Sequence, residues 1–303
     1  MKQQFNSPGK LLLTGEYVVL DGATGLAVPT KFGQFLRIEP SSEAGVHWTS
    51  MSVEGDTWFD HHFSFRDLES IDPTAMDSVA GVLLNLLRLA RESNKSFLDG
   101  STNYRAISKM DFPRDWGLGS SSTLINNIAQ WAKVDPYILL EKTFGGSGYD
   151  IAVAQYGAPL LYTSNAENRD ITTANLDWGF VDELFFVYLN RKQDSREGIA
   201  RYRGSNKGKK NAIEEISDLS RELLATSSLD DFQSLLERHE AIISHLIDLP
   251  TIKSQLFPDY PGTIKSLGAW GGDFVLATGD RSQRDYFRNK GYDTVIDFTE
   301  MIA

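Results

Sequence analysis

Asp115-Trp-Gly-Leu-Gly-Ser-Ser-Ser-Thr123 carries the densest chemistry in the chain: two glycines and four hydroxyls leading into the apolar-periodic segment Leu124 to Ala132. That layout predicts a glycine-rich loop opening a helix. Backbone N–H groups at such a start, with the positive end of the helix dipole, attract anions. Glycines let the backbone approach a phosphate, and hydroxyls bind phosphate oxygens or a hard cation. Ser and Thr are also ordinary N-caps, so a capped core helix is the alternative reading of the same residues. No Gly-x4-Gly-Lys-Ser/Thr occurs in the chain, which argues against a P-loop NTPase. The Rossmann spacing fails too, because Gly117 and Gly119 are followed by Ser122.

Other residues invite chemistry more weakly. Asp150 sits in Gly145-Gly-Ser-Gly-Tyr-Asp-Ile-Ala152, where an aspartate also suits a turn. Asn190-Arg-Lys-Gln-Asp-Ser-Arg196 offers Lys192 and Arg196 to a carboxylate or phosphate, or is simply a solvated basic loop. The five histidines show no metal-ligand spacing, and the chain has no cysteine, which excludes disulfides, thiolate zinc sites and thiol nucleophiles. A formal net charge of -11 argues against a nucleic-acid partner. No apolar run reaches membrane-spanning length and no signal peptide is legible, so a cytoplasmic protein with a small-molecule substrate and no membrane partner is expected. Its oligomeric state, monomer or homodimer, stays open.

The elements that must position these residues are mixed. With 303 residues, 41% hydrophobic and 23% charged, the chain is long enough for one large or two medium domains. Lys10 to Leu20 reads as strand, turn, strand, closed by the Asp21-Gly22 turn. Strands are expected at Gln34 to Pro40, Val46 to Ser52 and Thr102 to Met110, and a helix at Ser78 to Ser93. Asp135-Pro136 predicts an N-cap and first helical residue, with the helix ending at Gly145-Gly146. Further strands are expected at Leu160 to Tyr162 and Leu184 to Leu189, and helices at Ala212 to Ala225 and Leu229 to Leu246. Thr263 to Ser266 reads as a helix start or turn; strand, helix, strand follow from Phe274 to Phe298. Without regular βαβ alternation the class is α+β. The polar stretch Asn165 to Asp177 suggests a boundary, giving domains 1–170 and 171–303.

Three segments join the central loop in a familiar order: Ser7-Pro-Gly-Lys-Leu-Leu-Leu-Thr-Gly-Glu-Tyr-Val-Val-Leu20, Gly145 to Ala152, and Gly268-Ala-Trp-Gly-Gly-Asp-Phe274. Together they resemble the GHMP small-molecule kinases, over nearly the whole chain. The likeness is strongest to the mevalonate and phosphomevalonate kinases, and the Gly148-Tyr-Asp-Ile-Ala152 run resembles a bacterial branch named for it. The resemblance implies a two-domain fold, with a ribosomal protein S5 domain 2-like first domain and a ferredoxin-like α/β sandwich second. It also implies an ATP- and Mg²⁺-dependent phosphotransferase acting on mevalonate or a similar carboxylated alcohol.

Residue by residue, the resemblance puts Gly117, Leu118, Gly119, Ser120, Ser121, Ser122 and Thr123, with Gly271 and Gly272, at the ATP phosphates. Ser121 takes the family's Mg²⁺ serine, and Glu141 is its second metal ligand, on a shorter interval to Asp150 than in familiar mevalonate kinases. Asp150 matches the catalytic acid, with Lys10 near it. Glu16, Ser147, Lys192 and Arg196 match substrate-side positions. Trp270 departs from the pattern, standing where the family has glycine; it and Trp116 either pack in the interior or wall the nucleotide pocket. Phosphomevalonate kinase, a decarboxylase on the same fold and a non-catalytic ligand-binding protein are the competing readings.

Overall fold

In the computed structural model all residues are described except Met1, 70–77, 166–167, 192–194, Asn206, Ala269, Gly271 and the side chains of Ser195 and Arg196. The strands are β1 (Gln3–Leu12), β2 (Gly25–Pro40), β3 (Val46–Met51), β4 (Thr57–Phe63), β5 (Tyr104–Met110), β6 (Leu160–Ser164), β7 (Arg169–Thr173), β8 (Leu184–Tyr188), β9 (Ile264–Ser266), β10 (Phe274–Thr278) and β11 (Val295–Asp297). The helices are α1 (Val79–Ser93), α2 (Ser120–Ala132), α3 (Pro136–Glu141), α4 (Tyr149–Tyr156), α5 (Ser195–Gly204), α6 (Lys209–Ala225), α7 (Leu229–Ile247), α8 (Ile252–Leu256), α9 (Arg281–Asn289) and α10 (Phe298–Met301). The α+β class expected from the sequence holds.

Two compact units interleave along the chain. One holds Met1–Gly9, Phe32–Arg114 and Gly119–Gln155; the other holds Lys10–Lys31, Asp115–Leu118 and Tyr156–Ala303. This partition differs from a single boundary at 170/171. The reason is that β1 and β2 are long strands that leave one unit and enter the other, which a composition shift does not reveal.

In the first unit β2 pairs β5 antiparallel, with Gln34 opposite Met110, and β3 pairs β5 in parallel and β4 antiparallel. Alternation along β5 puts Ala106, Ser108 and Met110 inward. Leu83, Leu86, Leu87 and Ala90 of α1 and Ile125, Ile128 and Ala129 of α2 fill the core with Leu36, Ile38 and Trp48. Ser78 caps α1 by accepting from the Gly81 N–H, and Asp135 caps α3 ahead of Pro136.

In the second unit Gly25–Ala27 of β2 pairs β6, which pairs β7. A separate four-stranded antiparallel sheet runs β11-β8-β10-β9. Its strand β8 is buried at every position, and Phe185, Val187, Val275 and Ala277 pack against Phe257 and Phe287. A second cluster packs Ile216 and Leu219 of α6 with Ile243 and Leu246 of α7.

Four sequence expectations change. Tyr17 to Leu20 is not a strand: Val18–Asp21 forms a 3₁₀ helix, because Gly15 and Tyr17 both take positive φ and turn the chain. Thr263 to Ser266 is strand β9, held by β10. The helix at Pro136 ends at Glu141, short of Gly145. The polar stretch after Asn165 contains β7.

Candidate functional site

The central loop is divided along the chain, Asp115–Leu118 belonging to the second unit and Gly119 onward to the first, and each part is described with its own unit. In the second unit Lys10 of β1 meets the loop twice. Its backbone N–H donates to the Leu118 carbonyl at 2.9 Å, and its Nζ donates to the Gly117 carbonyl at 2.9 Å. Gly117 has φ 69, and a Cβ there would overlap the Asp273 carboxylate. Trp116 packs edge-on to Phe274 at 5.3 Å, and Tyr188, beside it in the same group of rings, donates from Oη to the Asp115 carbonyl. Burial is the largest cause that pushes the Tyr188 phenol up, so it stays protonated as a donor. The Gly117 φ and its missing Cβ carry a prediction. Gly117→Ala is expected to cost about 1–3 kcal/mol of stability, because its methyl would meet the Asp273 carboxylate at a left-handed backbone position. A melting temperature unchanged from the parent's would refute the glycine requirement.

In the first unit Gly119, at φ 87 and ψ 39, opens α2 and offers no side-chain cap. The first N–H groups of this thirteen-residue helix have no intrahelical acceptor. Ser122 Oγ turns back to the Gly119 carbonyl at 2.8 Å, and Thr123 Oγ1 donates to Gln34 Oε1 at 2.7 Å. Those two hydroxyls hold the loop. Ser120 is half-buried and Ser121 exposed. The uncapped start and the exposed Ser121 hydroxyl fit an anion with a hard cation beside it.

Behind the loop, α2 is anchored by a polar network. Asn126 Nδ2 donates to Ser7 Oγ at 2.9 Å and to the Ala154 carbonyl at 3.0 Å, and Ser7 Oγ donates to Asn127 Oδ1 at 2.8 Å. Asn127 Nδ2 donates to the Gln34 carbonyl. The network ties three of the sequence motifs, at Ser7, α2 and α4. Asn126, Asn127 and Gln34 were not singled out from sequence. Their signal is two adjacent asparagines on the buried side of an amphipathic helix, where unpaired amides would be costly.

Asp150 stands half-buried in the first turn of α4, its Oδ1 accepting the Ile151 N–H at 3.0 Å. Gly148, at φ 85, delivers the chain into that turn, with Ser147 half-buried just before it. Glu141 ends α3 exposed. Among the described residues no group of three or more His, Asp or Glu side chains forms a ready metal cage. A Mg²⁺ that draws most of its shell from phosphate and water does not need one.

Two expected positions are placed differently. Glu16 is 1% exposed, and its carboxylate faces the interior. Its Oε1 accepts from Lys265 Nζ at 2.5 Å, and its Oε2 lies 3.2 Å from His239 Nε2. Lys265 also reaches Glu240 at 3.3 Å and the Ser266 carbonyl. A side chain committed to this buried ion cluster is not presented to a substrate. Trp270 is 3% exposed, packs with Tyr17, Tyr202 and Leu246, and donates from Nε1 to the Pro250 carbonyl. Its backbone has φ 52, the left-handed region that glycine favours, so the loop keeps a glycine-type turn under a bulky residue. The indole is core, not a pocket wall. Gly272 is buried in the same loop, and Gly268 and Asp273 also take positive φ. Lys192 and Gly271 lie outside the described residues, as does the Arg196 side chain.

No protein-family model matches the chain, and no curated protein matches it. Solved structures do. The mevalonate kinase of Methanococcus jannaschii superposes with a TM-score of 0.75 at 15% identity, covering 98% of this chain and 97% of that one. The Streptococcus pneumoniae phosphomevalonate kinase, solved with phosphomevalonate and AMPPNP, gives 0.66 at 16% identity over 96% of each chain. Lactococcus lactis galactokinase, solved with galactose, gives 0.64 at 13% identity, covering 97% of this chain and 92% of that one.

Proposed function

The chain has the fold of the GHMP kinases, and on that premise we propose that it is an ATP- and Mg²⁺-dependent small-molecule kinase phosphorylating mevalonate or a similar small carboxylated alcohol. The observation that carries this reading is the loop itself: left-handed Gly117 and Gly119 running into an uncapped helix, with the Lys10 ammonium on the Gly117 carbonyl. Gly117 to Thr123 would hold the nucleotide phosphates, and Ser121 with Glu141 would supply the protein ligands of Mg²⁺. Bound MgATP supplies the phosphoryl group and neutralises its charge.

The remaining work falls to the chain's own side chains. Asp150 orients the acceptor hydroxyl and takes its proton. It need not be a strong base, because positioning and charge stabilisation dominate such transfers. Lys10 supplies positive charge at the loop. Ser147, Lys192 and Arg196 serve the acceptor side, the last two by gripping its anionic group.

Phosphomevalonate is the second acceptor to test, since one structural neighbour was solved with it. Trp270 lends no support to a non-catalytic reading, because the indole packs inward over a glycine-type backbone. The deciding experiment monitors ADP release with mevalonate, phosphomevalonate and galactose in turn, with a parallel assay for carbon dioxide. Acceptor-dependent ADP release with mevalonate is the expected result. Nucleotide binding without turnover on any acceptor would sink the kinase reading, and carbon dioxide release would replace it with a decarboxylase.

A further inference from the structure

Two of the seven described non-glycine residues at positive φ fall within one turn of the second unit. Trp270 has φ 52 and Asp273 φ 54, with Gly268 at φ 63 before them. A bulky left-handed residue is strained and persists only where its surroundings over-determine it. Both residues are held in that way. The Trp270 indole is 3% exposed and packs with Tyr17, Tyr202 of α5 and Leu246 of α7, and its Nε1 donates to the Pro250 carbonyl at 3.3 Å. Tyr17 is itself stacked on Tyr202 at 6.1 Å. Asp273 is held by its main chain: its N–H donates to the Arg191 carbonyl at 2.8 Å, and its carbonyl accepts the Leu189 N–H at 2.8 Å. Gly272 lies between the two fixed residues and is buried.

This turn is pressed against the part of the central loop that belongs to the same unit. The Asp273 carboxylate occupies the side of Gly117 from which a Cβ would project: an added Cβ would lie 2.3 Å from Oδ2. On the other side the Gly117 carbonyl accepts from Lys10 Nζ. Gly117 is thus fixed between Lys10 and Asp273, and Asp273 is fixed by a turn whose other end is the buried indole.

We propose that Trp270 is a positioning residue for nucleotide binding: its indole pins the Gly268–Asp273 turn in the shape that sets Asp273 against Gly117. The consequence for the nucleotide rests on the proposed function, which puts Gly117 and Gly272 at the ATP phosphates. A glycine at 270 would reach the same φ without strain, yet would be free to leave it. An indole locked in the core stays, so the turn is ordered before the phosphates arrive and binding does not have to order it. Returning position 270 to the glycine of the resembled family should therefore weaken nucleotide binding and not improve it.

The test titrates MgATP calorimetrically into three variants below their melting transitions. Trp270→Gly is expected to bind about tenfold more weakly than the parent, and Trp270→Phe, which keeps a ring among Tyr17, Tyr202 and Leu246, within about threefold of it. Leu219→Ala removes a side chain from the same cluster but not from the turn, so it should melt earlier and bind as the parent does. Hydrogen exchange of the amides in 268–273 should quicken in Trp270→Gly and recover in Trp270→Phe. No change in either readout, a change in one without the other, a Trp270→Phe variant as weak as Trp270→Gly, or an equal loss in Leu219→Ala would each overturn the proposal. If Trp270→Gly does not fold, Trp270→Leu takes its place with the same outcomes. If the parent binds no MgATP, the functional reading fails by itself. The exchange measurement then decides the pin alone, and parent-like exchange of the turn in Trp270→Gly would overturn it.

Discussion

Asp150→Asn is expected to lower kcat by about 10²–10⁴-fold while leaving the KM for ATP nearly unchanged. The substitution is isosteric, and the amide oxygen of asparagine still accepts the Ile151 N–H that the Asp150 Oδ1 accepts at 3.0 Å. The start of α4 therefore keeps its geometry, and Ala154 keeps its bond from Asn126. What is lost is the negative charge that, on the proposed function, orients the acceptor hydroxyl and receives its proton. Steady-state ADP release, with a melting curve as the control for folding, measures both. A kcat within tenfold of the parent would remove Asp150 from the catalytic machinery.

Lys265→Met should cost about 3–5 kcal/mol of unfolding free energy in urea, the usual consequence of stripping one partner from a buried charge cluster. Lys265 is wholly buried and is the only cation described against Glu16 and Glu240. Without it two carboxylates share the interior with a histidine. Burial is the largest cause acting on each carboxyl, raising Glu16 and raising Glu240 from 4.5 to about 7, against the pull of Lys265. Burial likewise holds the His239 imidazole well below its usual 6.5.

The signs of the two effects oppose. Between pH 4.5 and about 7 the folded chain binds more protons at Glu240 than the unfolded chain does. Its contribution to stability is full below 4.5 and is lost as pH rises through 7. His239 acts the other way, its contribution present above 6.5 and lost as pH falls below it. Glu240→Gln should flatten the decline on the alkaline side and leave the acid side standing. The gain above pH 7 is on the order of 3 kcal/mol, and urea titrations at pH 5, 7 and 9 measure it. A pH profile identical to the parent's would show that Glu240 is not the titrating group.

Much of this was legible in the residues. The Asp135-Pro136 cap, the period of α1 and the Gly117–Thr123 loop were carried by local rules: capping, helical spacing and glycine conformation. The failures share a cause, which is that long-range partners overrode local pattern. Val18 and Val19 have strand composition, yet a 3₁₀ helix forms because Glu16 and Tyr17 are fixed by residues of α7, β9 and α5. Glu16 looks like a site carboxylate until Lys265 is placed beside it. Trp270 reads as a damaged glycine loop because a sequence shows the side chain and not the φ angle. Asn126 and Asn127 were readable in principle, as amides on a buried stripe, but their partners at Ser7 and Gln34 were not.

The ion pair between Glu16 and Lys265 also bears on how the protein is made. Its partners are separated by 249 residues. At about 5–20 residues per second the ribosome needs roughly 12–50 s to deliver the ammonium after the carboxylate has emerged. Throughout that interval Glu16 must stay hydrated, and Gly15 and Tyr17 have no reason to adopt their strained turn. Residues 10–31 therefore stay unfinished even after Gln155, the last residue of the first unit, has been made. The order of synthesis makes the closing of the ion cluster a late event in folding.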